Sequence, residues 1–562
     1  MGKKGSMNIA SHISSIEKLV PGEMSAKEQG MILSTLESVL QYVSEQSVLI
    51  QSLRDEINRL KGEDGKPTIS GKNQKGVSPE SSNISSESNR KGSTKPRQAK
   101  SVKFDSTRVV DETERIDITD KSELPKDIVF KGYAKSHYQS LEIHAKLIEV
   151  QRATYYSAST KKTYTADLPD HYELGSDYTQ ELKAHICLLK FSLGLSIPKI
   201  GEFLTMQGVQ ITNGTISNII LENGELLKEE RMAIHEAGLA TGLYESTDTT
   251  ASRFNGVNYN THVFGNEAYT AYFTKPHKDR QTVLDLIRAE QARIYLLNEH
   301  TFMLYDYLQI PFKITRPLKS LVFDQVMDEN TFIDKIMAHL ESVLEPDDYQ
   351  KHESKLLEGA YIAAYFAQNP LNILVCDNAP QYKLISVLMA LCWIHAGRHF
   401  KKLNPKVKYH QDLQNEFLNL FWAFYQKLKD YKLKPDKKTA ALLADEFDVL
   451  FSRKYGYQDL DDRIDKTRAI KQELLIVLKH PYLPLHNNDT ELAVRREVRY
   501  RDISFQTRTQ KGTQAKDVFF TIIQTCKKLG VNAYLYIIDR VTKKFNMTAL
   551  EVLVQKHHWA LP

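Results

Sequence analysis

The stretch LYESTDTTASRFNGVNYNTHVFGNEAYTAYFT at residues 243–274 decides the fold class. It contains three short strand candidates, LYESTD, THVFGN and YTAYFT, separated by turns rich in Asn and Gly. Short turns of this kind join neighbouring antiparallel strands, so the stretch predicts an antiparallel meander. Asp248 closes the first of these strands.

Two further strand candidates lie downstream and alternate with helical sequence. NILVCD, an apolar strand of the buried type, ends in Asp377, and ALCWIH at 390–395 is strand-like. A polar helix start, HNNDTELAVRREVR, follows at 486–499. Three antiparallel strands followed by strands that alternate with helices predict an α/β fold, in which helices cover a mixed sheet.

The N-terminal region has a heptad pattern over residues 29–61, which is typical of a coiled coil and predicts that this helix pairs protomers. A helix that packs on its own protein is the alternative. Residues 62–103 are mostly Ser, Asn, Gly and Lys, and this composition predicts a disordered basic linker. The heptad core positions are Ile32, Val39, Gln46, Leu53 and Leu60, together with Leu36, Val43, Ile50 and Ile57.

Two small modules are predicted before the sheet. Residues 104–177 contain short alternating segments that indicate a small β module. Within 178–235, helical sequence at 196–204 and 212–221 flanks a turn at 207–209, which predicts a helix-turn-helix, although helix pairs of this kind are also common in all-α domains. The polar face suited to base edges or phosphates comprises Thr212, Asn213, Thr215, Ser217 and Asn218.

Three acids are candidates for metal binding. Asp248 and Asp377 end strands, and Glu491 lies one turn into the helix that follows His486. Three carboxylates in one crevice repel each other unless a cation neutralises them, and hard oxygen ligands select Mg²⁺ or Mn²⁺. Two such ions about 3.5–4 Å apart can hold the attacking and leaving oxygens of a phosphoryl transfer. Taken singly, each acid is better explained as a surface or capping residue, and only the three together on this order of strands indicate a metal site.

Basic residues follow two of these site elements and predict contacts with DNA backbone, with solvated surface charge as the alternative. The chain carries a net charge of only +5, so the placement of the charges matters more than their sum. The predicted contacts are Arg398, Lys401 and Lys402 after His395, and Arg495, Arg496, Arg499, Arg501, Arg508 and Lys511 after Glu491.

The composition excludes several classes of protein. The 4 cysteines form no Cys-x-x-Cys pair, which argues against a disulfide scaffold or a cysteine-rich zinc module and favours a reducing cytoplasm. No apolar run reaches the length of a membrane-spanning helix, and we expect neither a signal peptide nor a membrane partner.

The order of these motifs resembles the insertion sequence 66 family of bacterial DDE transposases. The resemblance rests on Asp248, CDNAPQY around Asp377, CWIHAGRHF, HNNDTELAVR and the closing segment RDISFQTRTQKGTQAKDVFFTIIQTCKKLGVNAYLYI. The most specific short motif is Asn-Asn-x-x-Glu, here Asn487, Asn488 and Glu491. It implies an RNase H-like catalytic core with Asp248, Asp377 and Glu491 as the catalytic, metal-binding triad, and with His395 near the scissile phosphate.

The resemblance also implies a domain order, which the composition shifts support. We expect an N-terminal coiled coil (1–61), the linker (62–103), the β module (104–177), the helix-turn-helix domain (178–235), the catalytic domain (236–534) with helical insertions at about 282–370 and 410–480, and a helical tail (535–562).

The implied activity is metal-dependent cleavage at the ends of a mobile element, followed by transfer of the freed 3′-OH into target DNA. Expected partners are double-stranded DNA (terminal inverted repeats and target), a second protomer through residues 29–61, and accessory proteins of the element, in the bacterial cytoplasm at the nucleoid. We expect two Mg²⁺ or Mn²⁺ ions, no zinc and no other cofactor. Three alternatives stay open: a DNA-binding regulator without catalysis, an RNase H-like nuclease without strand transfer, and a structural DNA-bridging protein.

Three departures from the family pattern stand near the expected site. Thr249 replaces the usual glutamate after the first acid, Leu492 replaces the arginine after the catalytic glutamate, and Gly397 replaces the first of two arginines after the histidine. The zinc-binding cysteines common ahead of the family's helix-turn-helix are absent, because no cysteine precedes Cys187.

Overall fold

A computed structural model of the chain describes residues 26–60, 110–116, 132–138, 140, 143–169, 172 and 174–557. The predicted linker (62–103), much of the predicted β module before residue 143, and residues 558–562 of the predicted tail lie outside the described residues. The chain forms two units, one of Met1–Thr68, Val150–Met206 and Gln210–Pro562, and one of Ile69–Glu149 and Gln207–Val209.

The large unit contains every helix and strand in the described part of the chain. The strands are β1 (Thr154–Ser157), β2 (Lys162–Thr165), β3 (Glu245–Phe254), β4 (Val257–Gly265), β5 (Thr270–Lys275), β6 (Tyr295–Leu297), β7 (Phe323–Met327), β8 (Leu371–Cys376) and β9 (Ser386–Leu391). The first helices are α1 (Ala26–Leu60), α2 (Gln180–Phe191), α3 (Ile197–Met206), α4 (Asn213–Leu226), α5 (Lys228–Thr241), α6 (Arg280–Ile287), α7 (Glu299–Tyr307), α8 (Phe312–Leu318), α9 (Glu329–Glu341), α10 (Pro346–Tyr349) and α11 (Glu353–Phe366). The later helices are α12 (Trp393–Lys401), α13 (Lys408–Leu433), α14 (Lys437–Phe451), α15 (Gln458–Arg468), α16 (Lys471–Leu474), α17 (Asn488–Ser504), α18 (Gln510–Lys528), α19 (Ala533–Val541) and α20 (Leu550–Gln555).

A five-stranded mixed sheet in the order β5-β4-β3-β8-β9 forms the centre of the unit. β3, β4 and β5 are antiparallel neighbours, whereas β8 runs parallel to both β3 and β9. The predicted meander, the strand that precedes Asp377 and the α/β class are therefore confirmed. The prediction that Asp248 ends its strand is wrong, because pairing with β4 carries β3 on to Phe254. Helix α18 packs along β5, and α17 packs against β3 and β4.

The prediction of a strand through ALCWIH is wrong beyond Leu391. β9 ends there, and Cys392 donates its backbone N–H to the Cys376 carbonyl over 3.0 Å as the last bond to the sheet. The Cys392 carbonyl then accepts from the Ala396 N–H at 3.1 Å, which begins α12. His395 therefore projects from a helix, one turn past the end of the strand.

The stretch at 282–370 is not helical throughout, as its sequence had suggested. It also holds the antiparallel pair β6 and β7, which forms a second small sheet. These strands span 3 and 5 residues, too short for their period to stand out in a helical sequence. The stretch at 410–480 forms α13, α14, α15 and α16 as predicted, and their aromatic side chains enclose Trp393 of α12.

The prediction of several strands within 104–177 holds only for one hairpin in the described residues. β1 and β2 pair in antiparallel register, Tyr155 opposite Tyr164. Residues 143–153 are irregular although their sequence alternates, because alternation forms a strand only where a neighbouring strand is available to pair with it. The described residues of the smaller unit contain neither helix nor strand.

Helix α1 is confirmed, and part of it docks on its own protein. Leu33 and Glu37 are buried, and the Glu37 carboxylate accepts the backbone N–H groups of Lys406 (2.6 Å) and Val407 (2.9 Å) just before α13 begins. His410 lies 3.2 Å from the same carboxylate. The alternative of a helix packed on its own chain therefore holds for this segment, while most heptad positions beyond it are exposed, including Val39, Val43, Ile50 and Leu53.

The described helices include none that is both long enough and apolar enough to cross a membrane.

Candidate active site

The first two acids lie side by side at one edge of the central sheet. β3 and β8 are parallel, with Glu245 opposite Leu374 and Ser246 opposite Val375. Asp248 lies within β3, two residues beyond the last residue paired with β8, and Asp377 is the first residue after β8. The backbone N–H of Thr249 donates to Asp248 Oδ1 at 2.8 Å, and that of Ala379 donates to Asp377 Oδ1 at 3.1 Å.

The third acid is held over this edge by helix α17. Glu491 lies in its first turn, and the preceding residue, Thr490, shares a hydrogen bond of 3.1 Å with Ser246 of β3. Two turns further on, Glu497 accepts a 2.9 Å hydrogen bond from Ser252 at the other end of β3. α17 is thereby fixed to β3 at both ends, and this fixes Glu491 relative to Asp248.

A buried ion pair also holds helix α17 in place. Lys516 of α18 lies 2.9 Å from Glu497, and both side chains are almost wholly buried. Lys516 also donates to Thr274 on β5 at 3.0 Å. Lys516 lies in the basic segment that follows Glu491, but its side chain is buried between α17 and the sheet.

The acids are close enough to influence each other. The pKa of Asp248 is raised to about 7, chiefly by burial and in addition by the negative charges of Asp377 and Glu491, against the opposing effects of the Thr249 N–H and Arg398. Carboxylates that repel each other in a buried site favour a bound cation. Asp248, Asp377 and Glu491 supply the hard oxygen ligands that suit Mg²⁺ or Mn²⁺, and Glu491 Oε1 is buried without a hydrogen-bond partner, so the chemistry of these residues fits such ions. The three carboxylates do not all approach within 4.8 Å of one another in this structure.

Arg398 holds the other side of Glu491. Its Nη2 donates to Glu491 Oε2 at 3.1 Å, and its Nη1 donates to His395 Nε2 at 3.1 Å. Because arginine can only donate, Nε2 of a neutral His395 is the acceptor and the ring proton resides on Nδ1. Burial lowers the pKa of His395, which favours this neutral ring.

Thr249 lies in a directional hydrogen-bond chain beside Asp248. Its hydroxyl is 2.8 Å from the Tyr382 hydroxyl and 3.2 Å from His262 Nδ1. His262 Nε2 faces the carbonyl of His277 at 3.0 Å, so Nε2 donates and Nδ1 accepts, and burial lowers the pKa of His262 to about 4. Thr249 therefore donates to His262 and accepts from Tyr382, which ties the strand of Asp248 to the turn that follows Asp377.

The two missing arginines have different surroundings. A Cβ atom on Gly397 would lie 2.6 Å from Cζ2 of Trp422, because the indole occupies the space where a side chain would project. Leu492, in contrast, is exposed on α17. The glycine is thus required by packing against α13, whereas the leucine is not.

The two helices of the predicted helix-turn-helix are present as α3 and α4, and Thr212 is the N-cap of α4. Its hydroxyl accepts from the Thr215 backbone N–H at 3.1 Å and also bonds the Thr215 hydroxyl, so both hydroxyls serve the helix. Asn213 and Asn218 are exposed, and Ser217 is half-buried.

The basic residues expected to contact DNA differ in their contacts and in their exposure to solvent. Arg496 packs over the Phe520 ring at 5.1 Å, Arg501 donates to the Ala251 carbonyl, and Arg398 is engaged as described, so these three support the fold or the site. Arg495 is half-buried. The exposed members are Lys401, Lys402, Arg499, Arg508 and Lys511.

The fold and the site together define a mixed α/β protein with three acids gathered at one sheet edge. The sequence model of the Transposase IS66 family matches residues 175–296 and 345–515, just over half of the chain. The chain belongs to this family, which confirms the resemblance, and membership indicates an enzyme of the DNA-transposase type with DNA as its partner. The match is interrupted at 297–344, inside the segment that appeared enlarged by sequence.

A relative in Sinorhizobium fredii (strain NBRC 101917 / NGR234), the uncharacterized protein y4jO, is 30% identical over 308 residues. The matched region is 54% of this chain and 94% of the relative. No solved structure matches the chain.

The contacts of several residues important to the site carry no signal in the sequence. Tyr382, His262 and Thr249 lie far apart along the chain, and Arg398 was expected to contact DNA. Their roles arise from tertiary contacts, which a pattern of neighbouring residues does not encode.

Proposed function

We propose that this protein is a DDE transposase that cuts DNA strands at the ends of its element and joins the freed 3′-OH to target DNA. The observation that carries the proposal is the placement of Asp248, Asp377 and Glu491 at one sheet edge, with the pKa of Asp248 raised by burial and by the other two acids. The central sheet is proposed to be an RNase H-like core.

Each acid has a role in this proposal. Asp248 on β3 and Asp377 after β8 would hold divalent cations, and Glu491 on α17 would complete the set of ligands. Two Mg²⁺ or Mn²⁺ ions bound there would lower the pKa of water and neutralise charge on the reacting phosphate. His395 is proposed to lie against the scissile phosphate, and Arg398 keeps Glu491 oriented before DNA arrives.

Two surfaces are proposed to bind DNA. The exposed polar residues of α4, Asn213 and Asn218, suit base edges or phosphates of the terminal repeats, as expected of a recognition helix. The exposed lysines and arginines after α12 and along α17 suit phosphates near the acids. We further propose that α1 pairs two protomers, since strand transfer requires two DNA ends to be held together, and that accessory proteins of the element assist.

The test is cleavage and strand transfer on duplexes that carry the element ends, with Mg²⁺ or Mn²⁺. Wild type is compared with Asp248→Asn, Asp377→Asn and Glu491→Gln, and with Asp412→Asn as a control on an exposed acid of α13. Activity lost in all three site variants, with DNA binding intact, supports the proposal.

Three outcomes favour other functions. Binding to the ends without cleavage, in the presence of the accessory proteins, favours a regulator. Cleavage without joining favours an RNase H-like nuclease. DNA bridging that none of the acid substitutions changes favours a structural protein.

A further inference from the structure

Cys392, His395 and Glu491 converge on one point beside the proposed catalytic acids. Their ligand atoms all lie within 4.8 Å of one another, and no other such group of three occurs in the described part of the chain. Cys392 is the buried N-cap residue of α12, His395 follows one turn later, and Glu491 comes from α17. The thiol of Cys392 has no place in the proposed reaction.

Two buried atoms in this group lack hydrogen-bond partners. His395 Nδ1 and Glu491 Oε1 face each other at 3.6 Å, and Glu491 is only 7% exposed. A buried polar atom without a partner costs about 1–3 kcal/mol, so a ligand between these atoms would be stabilising. Donors bound tetrahedrally to one zinc ion lie about 3.3–3.7 Å apart, which their present separation already matches.

We propose that Cys392, His395 and Glu491 bind a thiophilic divalent cation of the Zn²⁺ type, with a fourth position left for water. A thiolate, an imidazole and a carboxylate together favour Zn²⁺ over Mg²⁺. Because Glu491 also belongs to the proposed catalytic triad, a cation bound here withholds it and inhibits cleavage. The proposed binding site does not depend on the proposed function, whereas this regulatory role rests on it.

The cation and Arg398 compete for the same two side chains. Arg398 now donates to His395 Nε2 and to Glu491 Oε2, which leaves the ring proton on Nδ1. Binding through Nδ1 shifts this proton to Nε2, so Arg398 must withdraw, and the Cys392 thiol releases its proton to solvent. The guanidinium thus supplies, in the metal-free protein, the positive charge that the cation brings.

Binding is tested by titrating the metal-free full chain with Co²⁺ in the absence of DNA. We expect tetrahedral Co²⁺ absorption with a thiolate-to-metal charge-transfer band, and displacement of Co²⁺ by Zn²⁺. Cys392→Ser should lose the charge-transfer band, whereas Cys526→Ser, a buried cysteine on α18, should retain it. Arg398→Met should tighten binding by roughly tenfold, since it removes the competing cation.

A wild type without the thiolate band at saturating Co²⁺, or a band that persists in a folded Cys392→Ser protein, overturns the site. Circular dichroism establishes that each variant folds.

The regulatory role has its own measurement. Zn²⁺ should inhibit Mg²⁺-dependent cleavage by wild type, and Cys392→Ser should require about tenfold more Zn²⁺ for the same inhibition. Equal Zn²⁺ sensitivity of the two proteins overturns the regulatory role. If no preparation of wild type cleaves DNA, the proposed function and its regulation fail together, and the Co²⁺ spectra alone decide the binding site.

Discussion

Arg398 and Glu491 are joined by a hydrogen-bonded ion pair of 3.1 Å between helices α12 and α17, and 93 residues separate them along the chain. Both side chains are largely buried. The Arg398 guanidinium therefore orients both the proposed third acid, Glu491, and His395. The first consequence of this ion pair concerns stability, because a charge left alone in a buried site is strongly unfavourable.

Arg398→Met should lower the free energy of unfolding of the metal-free protein by about 3 kcal/mol, since it leaves Glu491 charged and unpaired. Adding Glu491→Gln should restore much of this loss. Lys427→Met is the control, because Lys427 pairs with Glu446 on an exposed surface, and we expect a change of no more than about 0.5 kcal/mol. Chemical denaturation of wild type, Arg398→Met, Glu491→Gln, the double variant and Lys427→Met measures these values, and additive effects of the two site substitutions would contradict the coupling.

The raised pKa of Asp248 makes stability depend on pH. Its pKa is near 4 in the unfolded chain and about 7 in the folded protein, so the protonated form favours folding. The contribution of Asp248 to stability is fully present below pH 4, declines between pH 4 and 7 and is absent above pH 7.

Asp248→Asn should therefore stabilise the metal-free protein at pH 8 by about 2 kcal/mol, and the gain should shrink steadily as the pH falls to 5. Denaturation midpoints of wild type and variant, measured across this range without divalent cations, test the prediction. A difference that stays constant with pH would show that Asp248 does not titrate there.

Thr249 should act through its hydroxyl, although the family usually has a glutamate at this position. Thr249→Val keeps the shape of the side chain and removes both hydrogen bonds, so we expect the free energy of unfolding to fall by about 1–2 kcal/mol. Thr249→Ser keeps the hydroxyl and should retain most of the wild-type stability. Tyr382→Phe in the Val background should add little, since the bond between them is already lost. Wild type, Thr249→Val, Tyr382→Phe and the double variant form a double-mutant cycle, in which a coupling energy near zero would argue against the chain of hydrogen bonds.

The first strands of the central sheet could be predicted because their apolar and polar residues alternate over short stretches of sequence. Residues 243–274 alternate and carry their own turns, so the meander follows from the sequence, as does the position of Asp377 directly after β8. The prediction that Asp248 ends its strand did not hold, because pairing with β4 carries β3 on to Phe254. The ion pair of Arg398 and the contact between Thr249 and Tyr382 were not predictable. Each joins residues that only the folded chain brings together, and arginines near a proposed DNA site suit a phosphate equally well.

Gly397 explains why one family arginine is absent. Gly397→Ala should destabilise the protein by about 2 kcal/mol, because its Cβ would approach the Trp422 indole to 2.6 Å. Trp422→Leu should recover part of this loss in the double variant by making room. Leu492→Arg restores the other family arginine at an exposed position, so a change within about 0.5 kcal/mol is expected there. Thermal denaturation compares the four proteins, and an unperturbed Gly397→Ala protein would exclude the packing explanation.

The two faces of helix α1 should have separable roles. Glu37 is only 4% exposed and accepts hydrogen bonds from the backbone N–H groups that precede α13. Val43 and Ile50 occupy core positions of the heptad pattern, yet they are exposed in the single chain. Val43→Asp with Ile50→Asp should therefore dissociate the proposed dimer, which light scattering measures as a halved mass. Glu37→Ala should leave the mass unchanged and release α1 from its own catalytic unit, seen as faster proteolysis at residues 61–109. If Glu37→Ala also halves the mass, docking and pairing are one interaction, and the assignment of separate faces is wrong.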